Sequence, residues 1–133
     1  MPGTFVIDTA ATFASPPLLM GCLPKVKYGS EGQQDVSANG ERKWEAQAAV
    51  TFHPAAPGMR PVSEVISVTI TGPATNPGDH ITPGTPVTFD GFRVGWSAPE
   101  ASDTGRIKGG KPWYQASGLR QAHVPGRAEG KAA

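Results

Sequence analysis

Cysteine is almost missing from this 133-residue chain. With Cys22 alone, an internal disulfide framework and any multi-cysteine zinc site are excluded, and the thiol reads as a small core residue in a reducing compartment. Long apolar runs are absent too. None reaches the roughly 18 residues that a membrane-spanning helix needs, so no membrane partner is expected. No N-terminal stretch combines a basic region, an apolar run and a small-residue cleavage site, which makes a cytoplasmic location the expectation. His53, His80 and His123 sit in or beside Pro/Gly-rich segments, without the His-x-x-x-His or cysteine spacing of a metal site, and read as exposed loop residues. No serine lies in Gly-x-Ser-x-Gly. Cys22 has no adjacent basic or histidine residue to activate it. Gly109-Gly110-Lys111 resembles a phosphate loop only superficially, because Pro112 takes the Ser/Thr position and no strand–loop–helix unit surrounds it. These gaps argue against an enzyme, and no metal or cofactor is expected.

What the chain does contain is punctuation. Its 17 glycines and 14 prolines break the sequence into short apolar runs instead of clustering, the spacing of an all-β chain with many turns. The length suits one domain with a real core. The net charge of +1 does not by itself call for a polyanionic partner. Its distribution is more telling. From Thr104 onward six basic residues (Arg106, Lys108, Lys111, Arg120, Arg127, Lys131) face one acid, Glu129, so this part carries +5 and the rest −4. Such asymmetry is compatible with nucleic-acid contact, and equally with a solvated hairpin and tail.

Taken in order, residues 4–12 are β-branched enough for a first strand or arm, with Phe5 and Ile7 on one side and Val6 and Asp8 on the other. Residues 18–28 predict an edge strand, since Pro24 cannot occupy a central ladder position. A polar loop follows from Gly29 to Gly40. From Arg42 to His53, Trp44, Ala46, Ala48, Val50 and Phe52 fall on one face at strict period two. A helix competes there, because Trp-Glu-Ala-Gln-Ala-Ala contains fair helix formers, but the apolar residues do not recur at three and four. Val62 to Thr71 predicts a strand with Ile66, Val68 and Ile70 facing the core. Thr82-Pro83-Gly84-Thr85 suits a type II turn.

Pro86 to Arg120 organises the chain: two aromatic-bearing β runs flank a loop carrying Arg106, Lys108 and Lys111, the layout of a hairpin with a basic tip. Asp90-Gly91 interrupts the first run, and Phe92, Val94 and Trp96 resume on a shifted phase, which predicts a β-bulge. The expected architecture is all-β, a small strongly bent antiparallel sheet or barrel of five or six strands with long loops. Residues 1–122 form a single domain, with 1–39 as a strand or arm whose role the pattern leaves open, and 123–133 read as a disordered tail.

Basic and aromatic residues interleave in three places. Arg42 and Lys43 precede Trp44, Arg93 follows Phe92, and Lys111 precedes Trp113 and Tyr114. Single strands of nucleic acid are held in this way, by charges along the backbone and rings stacked on bases. Phe52, Phe89 and Phe92 read as core. Trp113 and Tyr114 are adjacent, so on a strand they point to opposite faces and one of them meets solvent or a ligand. Trp44 and Trp96 suit either core or surface.

The run Val-Thr-Phe-Asp-Gly-Phe-Arg-Val-Gly (87–95) after a Pro-Gly turn, then a loop, then Ala-Ser-Gly-Leu-Arg (116–120), resembles the single-stranded-DNA-binding proteins of filamentous phages and similar small proteins of actinobacterial plasmids and integrative elements. The resemblance spans roughly residues 39–121. It implies a five-stranded OB-fold barrel, a homodimer, and sequence-tolerant coating of single-stranded DNA, in preference to RNA, during replication. It makes Asn39-Gly-Glu-Arg-Lys-Trp-Glu (39–45) the DNA-binding wing and the strand after it, with Arg42, Lys43 and Trp44 as contacts. Residues 1–39 have no counterpart in it, and the 97–111 loop is longer than its pattern. The expected binding set is Arg42, Lys43, Arg93, Arg106, Lys108 and Lys111 for phosphates and Trp44, Trp113 and Tyr114 for stacking. Two other readings fit the same composition: a phage or mobile-element structural or assembly protein, and a carbohydrate- or peptide-binding β-sandwich.

Overall fold

The computed structural model describes residues 4–27, 29–96, 100–101, 107–108 and 111–122. Its centre is the antiparallel pair β3 (Lys43–Phe52) and β4 (Val62–Thr71), in register from Lys43↔Thr71 to Phe52↔Val62 without a slip. Period-two alternation fixes that register, because a one-residue shift would turn every buried side chain outward. Trp44, Ala46, Ala48 and Val50 of β3 meet Ile66, Val68 and Ile70 of β4 on the buried face. Two small alanines opposite β-branched residues leave room for Leu19, arriving from β2 (Leu18–Pro24). The strand reading of residues 42–53 and the assignment of Ile66, Val68 and Ile70 to the core both agree with the structure.

Two longer runs complete the sheet. β5 (Thr85–Asp90) continues into β6 (Arg93–Trp96) across Gly91, which adopts φ +60° at the expected bulge. β9 (Pro112–Ala116) continues into β10 (Gly118–Gln121) across Ser117. The breaks face each other, with Ser117 N–H donating to Asp90 O at 2.8 Å and Ser117 Oγ–H to the same oxygen at 3.1 Å. Both runs therefore bend at one place. Their near halves, β6 and β9, pair beside β4, while their far halves, β5 and β10, pair beside β2. The hairpin read from residues 86–120 is thus formed, and β7 (Glu100–Ala101) with β8 (Ile107–Lys108) makes a further small pair within it. The result is an all-β curled half-barrel of eight strands in the order β1-β6-β9-β4-β3-β2-β5-β10.

Four expectations are corrected. The strand count is eight in the main sheet, not five or six, because each bent run counts as two strands and β1 (Thr4–Val6) adds an edge next to β6. The sheet is not wholly antiparallel: β9 runs parallel to β4 from Val68↔Tyr114 to Ile70↔Ala116, since β5 and β6 intervene and reverse the chain twice. Residues 4–12 do not form one strand; Asp8 Oδ1 accepts from Ala11 N–H at 3.1 Å and caps a single helical turn, α1 (Thr9–Thr12). This turn delivers Phe13 into the core. Finally, β2 is an edge strand only in part, having β5 beside Leu18 and Leu19, and Pro24 is its last residue.

Phe13, Phe89 and Phe92 form the aromatic centre of the core, with Phe52 and Tyr114 packed against them. The proline-rich 72–84 loop lies over one end. Asn76 Nδ2–H donates to Cys22 O at 2.7 Å, and Gly84, at φ +91° in the expected turn, donates to Leu19 O at 2.6 Å. Among the described residues no helix is long and apolar enough to cross a membrane. Residues 123–133, read from the sequence as a disordered tail, lie outside the described residues.

Candidate nucleic-acid interface

Strand alternation decides where each candidate points. Trp113 and Tyr114 take opposite faces, as their adjacency requires. Trp113 is on the outer face and 41% exposed. Its benzo ring lies across Gly95 of the paired β6 strand, where an added Cβ would sit only 2.3 Å from Cζ2. A glycine inside a strand commonly marks such a close approach. Tyr114 turns inward, 6.0 Å from the Phe92 ring, and its phenol pKa is raised above the ordinary value by burial and then by the charge of Glu64. It is therefore half-buried against the core and is corrected as a stacking residue.

Trp44 is corrected more firmly. Only 5% of it is exposed, and its Nε1–H donates to Pro73 O at 2.8 Å, so neither ring face is open to a base. Its position opposite Ile70 on the buried face settles this. Trp96 resolves the other way: it is half-exposed and meets Phe5 edge-on at 6.1 Å.

The cations are distributed around the sheet rather than gathered at one point. Arg42 is exposed and donates through Nη1 to Ala74 O at 3.1 Å. Lys43 makes an ion pair with Asp35 at 3.6 Å. Arg93 donates through Nε to Thr4 Oγ1 at 2.6 Å and through Nη2 to Thr4 O at 3.3 Å, fastening β1 to β6. Lys111 is exposed one residue before β9. Arg106 lies outside the described residues, and only the backbone of Lys108, in β8, is described.

One groove joins the outer face of the sheet to Trp113. β4 pairs with β9 only from Val68 onward, so the strands part before that point. The gap, about 370 Å³, is lined by Trp113, Val65, Ser67, Thr69, Glu45 and Lys25, with Glu64, Ile66, Pro112 and Tyr114 at its end. Lys25 Nζ and Glu45 Oε1 are 3.8 Å apart, both partly exposed. Lys25, Glu45 and Gly95 were not among the candidates read from the sequence. Gly95 alone carried a local signal, as a glycine between Val94 and Trp96; Lys25 and Glu45 meet Trp113 only through strand order. A second cleft, of about 390 Å³, lies between α1 and β5; among the described residues lining it His53 is the titratable one, with Nε2 at 3.0 Å from Ala10 O. Among the described residues no cluster of three or more His, Cys, Asp or Glu could hold a metal ion.

Comparisons of the chain with protein-family models, curated proteins and solved structures find no match.

Proposed function

We propose that this chain is a non-enzymatic protein that binds single-stranded nucleic acid, DNA ahead of RNA, across the outer face of an OB-fold barrel. The fold reading is supported by the order of its chain runs: β2, β3, β4, then β9/β10, then β5/β6, and back to β2, with β4 and β9 the parallel pair. In such barrels the second and third strands, the loop between the first and second runs and the loop between the fourth and fifth carry the ligand. Here these are β3 and β4, the 25–42 loop with Lys25, Lys27 and Arg42, and the 97–111 loop with Arg106, Lys108 and Lys111.

The observation that carries the reading is Trp113, an indole held on a glycine seat at the wall of an open groove instead of in the core. A ring so held keeps one face for a base, and stacking of this kind contributes about 1–3 kcal/mol per base. The test is fluorescence anisotropy of a labelled oligo-dT over a salt series, with duplex as competitor. Tight single-strand binding is expected, with log K falling against log[salt] by roughly 0.7 for each phosphate neutralised. Trp113→Ala should weaken it by about 5- to 150-fold. No binding at low salt would remove nucleic acid from the account.

A second reading, self-assembly, is favoured by one observation. Edge strand β1 exposes Phe5, which meets Trp96 edge-on, and Val6 beside Arg93, with no charged residue in the strand itself. A homodimer through this edge is compatible with strand binding. Rings or tubes with no affinity for oligonucleotides would instead select a structural component.

A further inference from the structure

The groove beside Trp113 is a poor channel for phosphate. Of the described residues lining it, Lys25 is the cation and Glu45 and Glu64 are acids. A phosphodiester laid on that floor would face more negative charge than positive, so on the binding reading above, on which this inference rests, the backbone follows the rim and the bases point inward. The groove lies on the β4 side of the Trp113 indole, opposite Gly95. Glu45 shares a row with Thr69 and Gln115, so it lies two strand spacings (about 10 Å) across from β9 and two residues (roughly 7 Å) along from Trp113; both line the groove, and a base stacked on Trp113 can turn its Watson–Crick edge toward Glu45.

Lys25 and Glu45 are suited to that edge. At 3.8 Å they attract each other but lie beyond the ~2.7–3.2 Å of a direct hydrogen bond, so their donors and acceptors are available to a third group. An ammonium beside a carboxylate offers a donor next to a pair of acceptors. Guanine alone among the bases presents the complement in one line: the O6 acceptor, then N1–H, then the N2 amino group. Cytosine and adenine present one donor position there, and thymine sets its N3–H between two carbonyl oxygens that a carboxylate repels.

We infer that Lys25 and Glu45 form a base-reading pair that favours guanine in the position stacked on Trp113. Ser67 and Thr69, whose hydroxyls line the same groove, serve any base and add no preference of their own.

The experiment compares equal-length oligo-dT, d(TG), d(TC) and d(TI) repeats with the full chain, in lithium buffer to suppress guanine tetraplexes. Inosine lacks only the N2 amino group of guanine, so it probes the carboxylate contact without altering the protein. The expected result is d(TG) binding about five- to tenfold tighter than oligo-dT, with d(TI) and d(TC) falling between, as one charged contact to a base edge allows. In Glu45→Gln the advantage of d(TG) should shrink to within about twofold while oligo-dT binding persists. Equal binding of d(TG) and oligo-dT by the unaltered chain, tighter binding of d(TC), or an undiminished preference in Glu45→Gln would each overturn the inference and leave strand binding intact. Failure to bind every oligonucleotide would overturn both.

Discussion

Gly95→Ala tests whether Trp113 is held or merely exposed. A Cβ built there would lie 2.3, 2.6 and 2.8 Å from Cζ2, Cε2 and Cη2 of the indole, far inside the ~3.5–4.0 Å of a comfortable carbon contact. The ring must therefore retreat by more than about 1 Å, and the paired backbones of β6 and β9 cannot part to spare it without losing ladder bonds. Trp113 buries about three-fifths of its surface. If a tryptophan fully buried removes up to roughly 250 Å² from water, this corresponds to at most about 4 kcal/mol at ~25 cal/mol per Å². Displacement forfeits part of that, and the expected loss is about 2 kcal/mol, within the range of overpacked sites. Urea denaturation of Gly95→Ala, Trp113→Ala and the double variant measures it as a cycle. Once the indole is gone, alanine at 95 should be neutral or favourable by about 0.5–1 kcal/mol, since glycine weakens a strand. A Gly95→Ala loss of the same size in both backgrounds would refute the seat, and with it the reason for Trp113 being presented as a rigid platform.

Two further outcomes follow from the core. Trp44→Phe should destabilise by about 1–2 kcal/mol, because Pro73 O loses its buried donor, while single-strand affinity stays unchanged; a matching fall in affinity at unchanged stability would return Trp44 to the binding surface. Burial raises the Cys22 thiol above its ordinary 9.0 and the Tyr114 phenol above its ordinary 10.0. The unfolded chain then releases these protons first, so their contribution to stability, full below about pH 9, should decline as pH rises through 9 and 10. Urea midpoints of the wild type should fall more steeply above pH 9 than those of Cys22→Ala/Tyr114→Phe, and parallel profiles would contradict the assignment.

Much of the fold was legible because its main strands obey one rule. β3 alternates buried and more exposed positions from Lys43 to Val50 and β4 does so from Ile66 to Thr71, and the Pro83-Gly84 turn and the Gly91 break carry their own backbone chemistry. The partners of those strands were not legible. Nothing local to Val68 or Tyr114 announces that their strands will run parallel, since that follows from β5 and β6 intervening and reversing the chain twice, and the place of β9 beside β4 follows from two bends 27 residues apart, at Asp90 and Ser117, closing on each other. Residues 4–12 misled for a different reason: their β propensity is real, but one aspartate cap overrides it for a turn. For the site, alternation separated Trp113 from Tyr114 and could have sent Trp44 inward, had its period-two partners Ala46 and Ala48 been weighed above its basic neighbours. The Lys25–Glu45 pair was beyond any local reading, because it depends on the register of β2 against β3, and its place in the Trp113 groove depends on where β9 falls in the strand order.

The basic residues themselves argue for restraint in counting phosphate contacts. Arg42, Lys43, Arg93 and Lys25 each have a partner within the chain: Ala74 O, Asp35, Thr4 and Glu45. A phosphate that recruits any of them must displace or share that partner, and an arginine that ties β1 to β6 is a structural fastener before it is a ligand contact. The two carboxylate-paired lysines are the ones most easily shared, because exposed ion pairs contribute only about 0–1 kcal/mol and are weakened by salt. On the proposed reading, affinity would lean on the Trp113 platform and the groove more than on charge, and a strand held through its bases would give a pair such as Lys25 and Glu45 something to read.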